Sequence, residues 1–440
     1  MTDQLLKSFQ LHQLGQLTEA QVGYIEILNT DSQNFNALQL LGALYLQKQN
    51  FKDALNTLKR ALEIDQSHAL LFHNYGIALE NLGSFLDALN AYEKALVLNP
   101  SYIEAEKSRA SLIQKINVAQ ALDEAKSQLL KITEGEALTL PLHLPKRGCK
   151  RGIDYYNQKD LLQAVQQVMF LFKGYFKKYP NLVNPQELNE KIQWIKFFYP
   201  IKFPESGDKL KTATFVPNVI KEDLTCPKII WQSRFPRLPS NKFIKPGWYY
   251  LKSNYGSGMF KRIQYPLLPK DVIELEILCA QWLNGSFGLD TGEWWYNCFT
   301  KYILLEEEIK DLNGPISYNF HVANGRVLYI NFFRKPEIGS NEKPQDTRFD
   351  SKFNQLPDQH ASCTRVLIKN LSSNTKEKMK FFAEKIGLSF PYVRIDFLLD
   401  ENQKIYLGEI TLSPTNGFES RPAEFEKILG QNIDLFARET

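Results

Sequence analysis

Two carboxylates, an arginine and a threonine near the end of the chain are spaced to share one side of a β-hairpin. Pro391-Tyr392-Val393-Arg394-Ile395-Asp396-Phe397 alternates apolar and charged residues, and Lys404-Ile405-Tyr406-Leu407-Gly408-Glu409-Ile410-Thr411 follows a polar stretch. The pattern predicts two strands around a four-residue turn at Asp400 to Gln403, with Leu399 facing Lys404 and Arg394 opposite Glu409. Arg394, Asp396, Glu409 and Thr411 then project to one face. Hard oxygen ligands that leave room for phosphate suit Mg²⁺ held by Asp396 and Glu409, with Thr411 nearby. A solvated sheet face with ordinary cross-strand ion pairs is the alternative, and a one-residue slip would scatter the set.

Further upstream, Trp248-Tyr249-Tyr250-Leu251-Lys252-Ser253-Asn254-Tyr255-Gly256-Ser257-Gly258 reads as a strand entering a glycine-bearing loop. Such loops let backbone N–H groups approach phosphate oxygens, and Lys252 supplies charge beside them. The lysine precedes the glycines, so this is not the Walker A arrangement. A plain turn reads the same way. Tyr302-Ile303-Leu304-Leu305-Glu306-Glu307-Glu308-Ile309 is an apolar strand ending in carboxylates, either a hinge that pairs with a base edge or a simple strand end.

In this order the three segments resemble the ATP-grasp superfamily, and in particular the TupA-like ATP-grasp family. The resemblance begins at Asn184-Pro185-Gln186-Glu187-Leu188-Asn189-Glu190-Lys191-Ile192-Gln193-Trp194. It runs through Asp208-Lys209, the Lys252 to Gly258 segment, Glu306 and Asn324-Gly325-Arg326 to Phe390 through Asp396 and Leu407 through Thr411. The resemblance implies ATP and Mg²⁺ as cofactors and a carboxylate–amine ligase working through an acylphosphate. Lys252 would hold phosphates under a cover formed by Gly256, Ser257 and Gly258. Glu306, Glu307 and Ile309 would meet the adenine. Asp396 and Glu409 would carry the metal, Arg394 would stabilise the transferring phosphoryl group, and Arg334 is a candidate for the substrate carboxylate. The family's name points to modification of cell-surface polysaccharide or peptide.

Two departures stand out. The family usually carries an acidic residue and a lysine in the strand before its Asn-Gly turn, where this chain has Ser317 and Asn319. Losing a lysine aimed at phosphate removes a contact of about 1.5–3 kcal/mol, although Asn319 could still donate a neutral hydrogen bond. The family's glycine loop usually contains a histidine where Tyr255 stands. These changes put turnover in question more than nucleotide binding, and a nucleotide-binding adaptor with a weak or inactive domain is the rival expectation.

The front of the chain repeats with a period of 34: Gly42, Tyr45, Ala54, Leu58 and Ala61 are followed by Gly76, Leu79, Ala88, Tyr92 and Ala95. This resembles tetratricopeptide repeats over 1–34, 35–68 and 69–102, the first degenerate at Ser8 and Ile27, with a capping helix to about 132. The groove of such a solenoid would take a protein or peptide partner; packing on its own catalytic domain or dimerisation would serve equally. Residues 133–180 read as a proline-bearing linker with a basic cluster at Lys146, Arg147, Lys150 and Arg151, then a helix from Ile153 to Tyr179. Residues 181–440 form the ATP-grasp-like part. The fold class expected is therefore an all-α repeat solenoid followed by an α+β domain.

A net charge of +4 with mixed signs argues against a nucleic-acid partner. No apolar run reaches the roughly 18 residues that suggest a membrane span. Five scattered cysteines with no Cys-x-x-Cys suggest neither a disulfide framework nor a zinc site, and a cytoplasmic location is expected.

Overall fold

A computed structural model describes residues 3–134, 151–311, 313–334, 344–357, 364–366 and 371–435. The chain forms two compact units that divide between Gln120 and Ala121. The expected linker and three members of its basic cluster, Lys146, Arg147 and Lys150, lie outside the described residues, whereas Arg151 is paired with Asp154 at 2.7 Å.

The first unit consists of helical hairpins. Helices α1 (Asp3–Gln13) and α2 (Leu17–Thr30), α3 (Phe35–Gln47) and α4 (Phe51–Ile64), and α5 (Ala69–Asn81) and α6 (Phe85–Leu98) pair in succession. Helix α7 (Ile103–Thr133) follows, and the unit boundary falls within it. Small residues set the approach of paired helices. A Cβ added at Gly42 would lie 2.5 Å from Leu58, and one at Gly76 would lie 2.6 Å from the Tyr92 ring. In the degenerate first repeat Ser8 takes the glycine's place. Its hydroxyl folds back to the carbonyl of Gln4 at 2.9 Å, and Gly23 supplies the missing room against it.

In the second unit, α8 (Gly152–Tyr155) and α9 (Gln158–Phe176) replace the single helix expected from Ile153 to Tyr179. The break has a local cause: the side chain of Asn157 caps α9 by accepting from the Asp160 N–H at 2.9 Å. Helix α10 (Leu188–Phe198) starts with a capping box between Glu187 and Glu190 and is buried on nearly every side. Strands β1 (Ile229–Ser233), β2 (Gly247–Ser253) and β3 (Phe260–Tyr265), helix α11 (Pro269–Asn284) and strand β4 (Ile303–Glu307) follow. Then come β5 (Ile316–Ala323), β6 (Arg326–Arg334), β7 (Gln345–Asp350), α12 (Ser373–Gly387), β8 (Val393–Leu399), β9 (Ile405–Thr411) and α13 (Ala423–Gln431).

The strands make two antiparallel sheets, ordered β1-β4-β2-β3 and β7-β6-β5-β8-β9. One face of the larger sheet is apolar, with Tyr318, Phe320, Val322, Ile395 and Phe397 in a core shared with Met379, Phe382 and Ile386 of α12. Asn324 and Gly325 turn β5 into β6, both with positive φ (48° and 75°), as a tight hairpin turn requires.

The β8–β9 register differs from the sequence reading. Leu399 pairs with Ile405 instead of Lys404, because Asp400 through Lys404 all belong to the turn. Asp400 Oδ1 organises that turn by accepting from the N–H groups of Asn402 and Lys404, each at 2.9 Å. A bulge at Gly408 then adds a second offset, so Asp396 faces Glu409 and Arg394 faces Thr411. Two offsets of one residue restore the parity, and the four side chains still share a face.

Candidate functional site

On that face Arg394 grips Asp396 with two parallel hydrogen bonds, Nε to Oδ1 at 2.7 Å and Nη2 to Oδ2 at 2.6 Å. Nη2 also donates to Thr411 Oγ1 at 3.3 Å. Burial drives the Asp396 carboxyl above the usual range, Arg394 opposes this, and the charge of Glu409 adds to the rise. For Glu409 burial also favours the neutral form. There the cations Lys209, Arg394 and Lys252 prevail and hold its carboxyl below the ordinary value. One shared face thus holds two carboxylates whose proton affinities are shifted in opposite directions.

The neighbouring strand β5 contributes Asn319, which pairs in register with Asp396. The Ser317 hydroxyl donates to Asn319 Oδ1, so the amide NH₂ is the end left to donate elsewhere. The Ser317/Asn319 departure therefore sits beside the paired carboxylates.

The smaller sheet supplies the second half. Lys252 on β2 forms an ion pair with Glu306 on β4, and its charge reaches Glu409. Gly256 and Gly258 both have positive φ, 70° and 76°. A Cβ at Gly256 would lie 3.0 Å from the Phe287 ring, whereas Gly258 and Ser257 are open to solvent. Buried Asn254 anchors the loop. Its Nδ2 donates to Asp208 Oδ1 (2.8 Å) and Thr300 O (3.0 Å), and its Oδ1 accepts from Tyr302 N (2.8 Å). Tyr255 points away from the loop into the core, with its hydroxyl against the carbonyls of Trp282 and Gly285. The second departure thus concerns the packing of α11, away from the loop's open side.

The rest of the expected hinge is less uniform. Glu307 is exposed and its N–H bonds Lys228 O at 2.9 Å, while Ile309 is half-buried just past the end of β4. Arg334 does not join the site. It pairs in register with Ile316 and so lies on the sheet face of Tyr318 and Phe320, with its guanidinium donating to Asn313 O.

Sequence reasoning gave no role to Lys209. Its Nζ lies 2.9 Å from Gly256 O and 3.4 Å from Glu409 Oε1, joining the glycine loop to the larger sheet. The signal was its place next to Asp208, but no strand or spacing tied it to residues 200 positions away. Tyr296 was also missed. It is buried, and its ionisation is opposed first by burial and then by Glu293 and Glu409.

Among the described residues no three His, Cys, Asp or Glu side chains gather into a metal cage. Asp396 and Glu409 nonetheless fit Mg²⁺, which takes one or two carboxylates and completes its shell with phosphate and water. Each carboxylate oxygen held by Arg394 keeps a second lone pair.

Two antiparallel sheets that bring lysines, a glycine loop and paired carboxylates together make this an α+β ATP-grasp domain. The chain belongs to the TupA-like ATP-grasp family, whose sequence model matches residues 208–434, just over half of it. A tetratricopeptide-repeat model matches residues 35–68. Among curated proteins, peroxisomal targeting signal receptors are similar. The one from Kluyveromyces lactis is 27% identical over 156 residues, covering 34% of this chain and 27% of the receptor. That of Saccharomyces cerevisiae is 27% identical over 169 residues, covering 35% and 27%. The chain thus spans about a quarter of these relatives' length. Among solved structures, the MamA protein shares 21% identity at a TM-score of 0.26, covering 29% of this chain and 72% of that one. The first tetratricopeptide domain of RPAP3, bound to an HSP90 peptide, shares 21% at 0.25, covering 26% and 90%.

Proposed function

We propose that the protein is an ATP-dependent carboxylate–amine ligase that works through an acylphosphate. The observation that carries this reading is the convergence of Lys252 and Lys209 with Asp396, Glu409 and Arg394 across two sheets. Phosphoryl transfer needs positioning and charge neutralisation more than covalent help, and these residues supply both. Lys252, freed from Glu306, and Lys209 would bind phosphate oxygens, and Gly256, Ser257 and Gly258 would cover them. Glu306, Glu307 and Ile309 would line the adenine. Asp396 and Glu409, with Thr411 beside them, would hold Mg²⁺, which when bound neutralises charge on the phosphates. Arg394 would meet charge building on the transferring group. The substrate carboxylate would attack the γ-phosphate, expelling ADP and giving an acylphosphate, and an amine would then attack the acyl carbon and displace phosphate. Modification of a cell-surface polysaccharide or peptide is the setting the family's name suggests, with the repeats recruiting a protein or peptide partner, and the scattered cysteines fit a reducing cytoplasm. No helix among the described residues is long and apolar enough to cross a membrane.

The test begins with binding. Lys252→Ala and Glu409→Gln should each reduce the thermal shift produced by ATP with Mg²⁺. Wild-type shifts in both variants would overturn the site. A second reading, an adaptor that binds nucleotide without turnover, is favoured by Asn319 standing beside Asp396 where the family usually places a lysine nearby. Release of phosphate with a panel of amino acids and sugar acids separates the two. Nucleotide binding without phosphate release across the panel favours the adaptor.

A further inference from the structure

Strand β9 lies at the edge of its sheet, and its last residues, Glu409 to Thr411, run directly into the segment Leu412 to Arg421. That segment is strained where it leaves the sheet. Thr415, Asn416 and Gly417 all have positive φ, at 50°, 57° and 71°. Glycine adopts this conformation freely, but a β-branched residue there is an outlier, and the conformation of Thr415 costs about 1–3 kcal/mol and persists only where the surroundings impose it.

The surroundings are one face of α10. Asn189, Gln193 and Lys196 are spaced four and three residues apart and so form a single stripe. All three donate to backbone carbonyls of the segment. Asn189 Nδ2 reaches Glu419 O at 2.7 Å, and Gln193 Nε2 reaches Asn416 O at 2.9 Å and Gly417 O at 3.1 Å. Lys196 Nζ reaches Asn416 O at 2.9 Å, Asn416 Oδ1, and Thr291 O at 3.0 Å. The segment Thr291 to Glu293 adds further bonds. Glu293 accepts from the Ser413 hydroxyl, and Asn416 Nδ2 donates to Thr291 Oγ1 at 2.7 Å. Any side chain at position 417 would collide with Gln193, since a Cβ there would lie 2.5 Å from Nε2.

For stability alone this stripe is a poor choice. Lys196 is fully buried, and burial pulls its ammonium down to about 7, with Glu293 and then Asp290 opposing. Gln193 Oε1 is buried with no partner among the described residues. A buried cation and an unpaired amide oxygen are costly even where their other contacts are satisfied. What the stripe does achieve is a fixed exit for the strand that carries Glu409 and Thr411.

We propose that Lys196, with Gln193 and Asn189, is a positioning residue that fixes the Ser413–Gly417 loop and so holds Glu409 in place for a nucleotide-bound divalent cation. The inference rests on the ATP-grasp reading of Asp396 and Glu409. Lys196 touches neither carboxylate and acts through the loop.

The experiment compares wild type, Lys196→Met, Lys196→Met with Glu293→Gln, and Gln193→Leu. The single lysine variant leaves Glu293 buried without its cation. The double variant removes both charges, which relieves the unpaired charge but not the lost loop contacts. Three quantities are read: the thermal midpoint, amide exchange across residues 412–421, and Mn²⁺ affinity with and without ATP by electron paramagnetic resonance. The double variant should melt above the single lysine variant and below wild type, exchange faster at Asn416 and Phe418, and bind Mn²⁺ with ATP at least ~10-fold more weakly. Metal-free ATP affinity should barely move. Gln193→Leu should show the same pattern to a smaller degree, and it carries the test if the lysine variants do not fold. Wild-type Mn²⁺ affinity despite faster exchange overturns the positioning role and leaves the ATP-grasp reading standing. Wild-type protein that binds no Mn²⁺ with ATP overturns both.

Discussion

Arg394 holds both oxygens of Asp396, and this decides how its replacement should be read. Alanine would leave a buried carboxylate without its cation, mixing loss of binding with loss of catalysis. Lysine keeps the charge but cannot form the parallel pair. Arg394→Lys should therefore lower phosphate release at least ~100-fold, the scale of one lost electrostatic stabiliser. Affinity for ATP with Mg²⁺ should change far less, and equal losses in both would reduce Arg394 to a partner of Asp396. His321 offers a different residue-scale test. It stacks on Tyr329 at 3.9 Å and bonds the Tyr392 hydroxyl at 2.7 Å. Burial first, then the charges of Arg421, Arg394 and Arg348, hold its imidazole well below 6.5, with a bond to Asn331 opposing. Below pH 6.5 the unfolded chain takes up a proton that the folded chain refuses, so stability falls with falling pH. The slope from this group approaches about 1.4 kcal/mol per pH unit. His321→Gln keeps a polar group for Tyr392 and cannot titrate, so its urea stability from pH 7.5 to 5 should fall less steeply. Parallel slopes would rule the histidine out. The charged residues of the hairpin were legible because alternation is local. Lys209 and the stripe on α10 were not, because their partners lie far away in sequence.

At the scale of elements, the 34-residue period was readable because each repeat meets its neighbour through the same small residues. Gly76→Val would drive two methyl groups into the Tyr92 ring and should cost about 1–3 kcal/mol by chemical denaturation. A neutral result would mean that α5 and α6 can separate freely. The hairpin turn was misjudged by one residue because Asp400 recruits Lys404 through its side chain, which an alternation pattern does not register. The helix expected from Ile153 was interrupted for a similar reason, a side-chain cap at Asn157. In both cases a short polar side chain bonding nearby backbone outweighed periodicity.

For the whole molecule, the sequence predicts a division near residue 132, where the repeat periodicity ends ahead of Pro141 and Pro145, whereas the compact units divide inside α7. The later turns of that helix belong to the second unit's core through Ala121, Ala125 and Ile132. Gln128 accepts from Leu182 N at 2.7 Å and donates to Pro180 O at 2.9 Å. A fragment starting at residue 133 leaves those backbone groups unpaired and opens the core. It should be less stable by at least about 2 kcal/mol than one starting at 118, judged by urea midpoint. Equal midpoints would show that the end of α7 contributes nothing to the second unit. A fragment of residues 1–120 should fold alone, since repeat contacts are local.

The bulge at Gly408 bears on how relatives of this site would be found. Asp396 and Glu409 are thirteen positions apart only because the chain contains one glycine that pairs with nothing. A homologue lacking that glycine would align the same two carboxylates at a separation of twelve. A search pattern with fixed separation would discard it, while accepting a chain with the familiar count and a straight ladder that turns its glutamate to the opposite face.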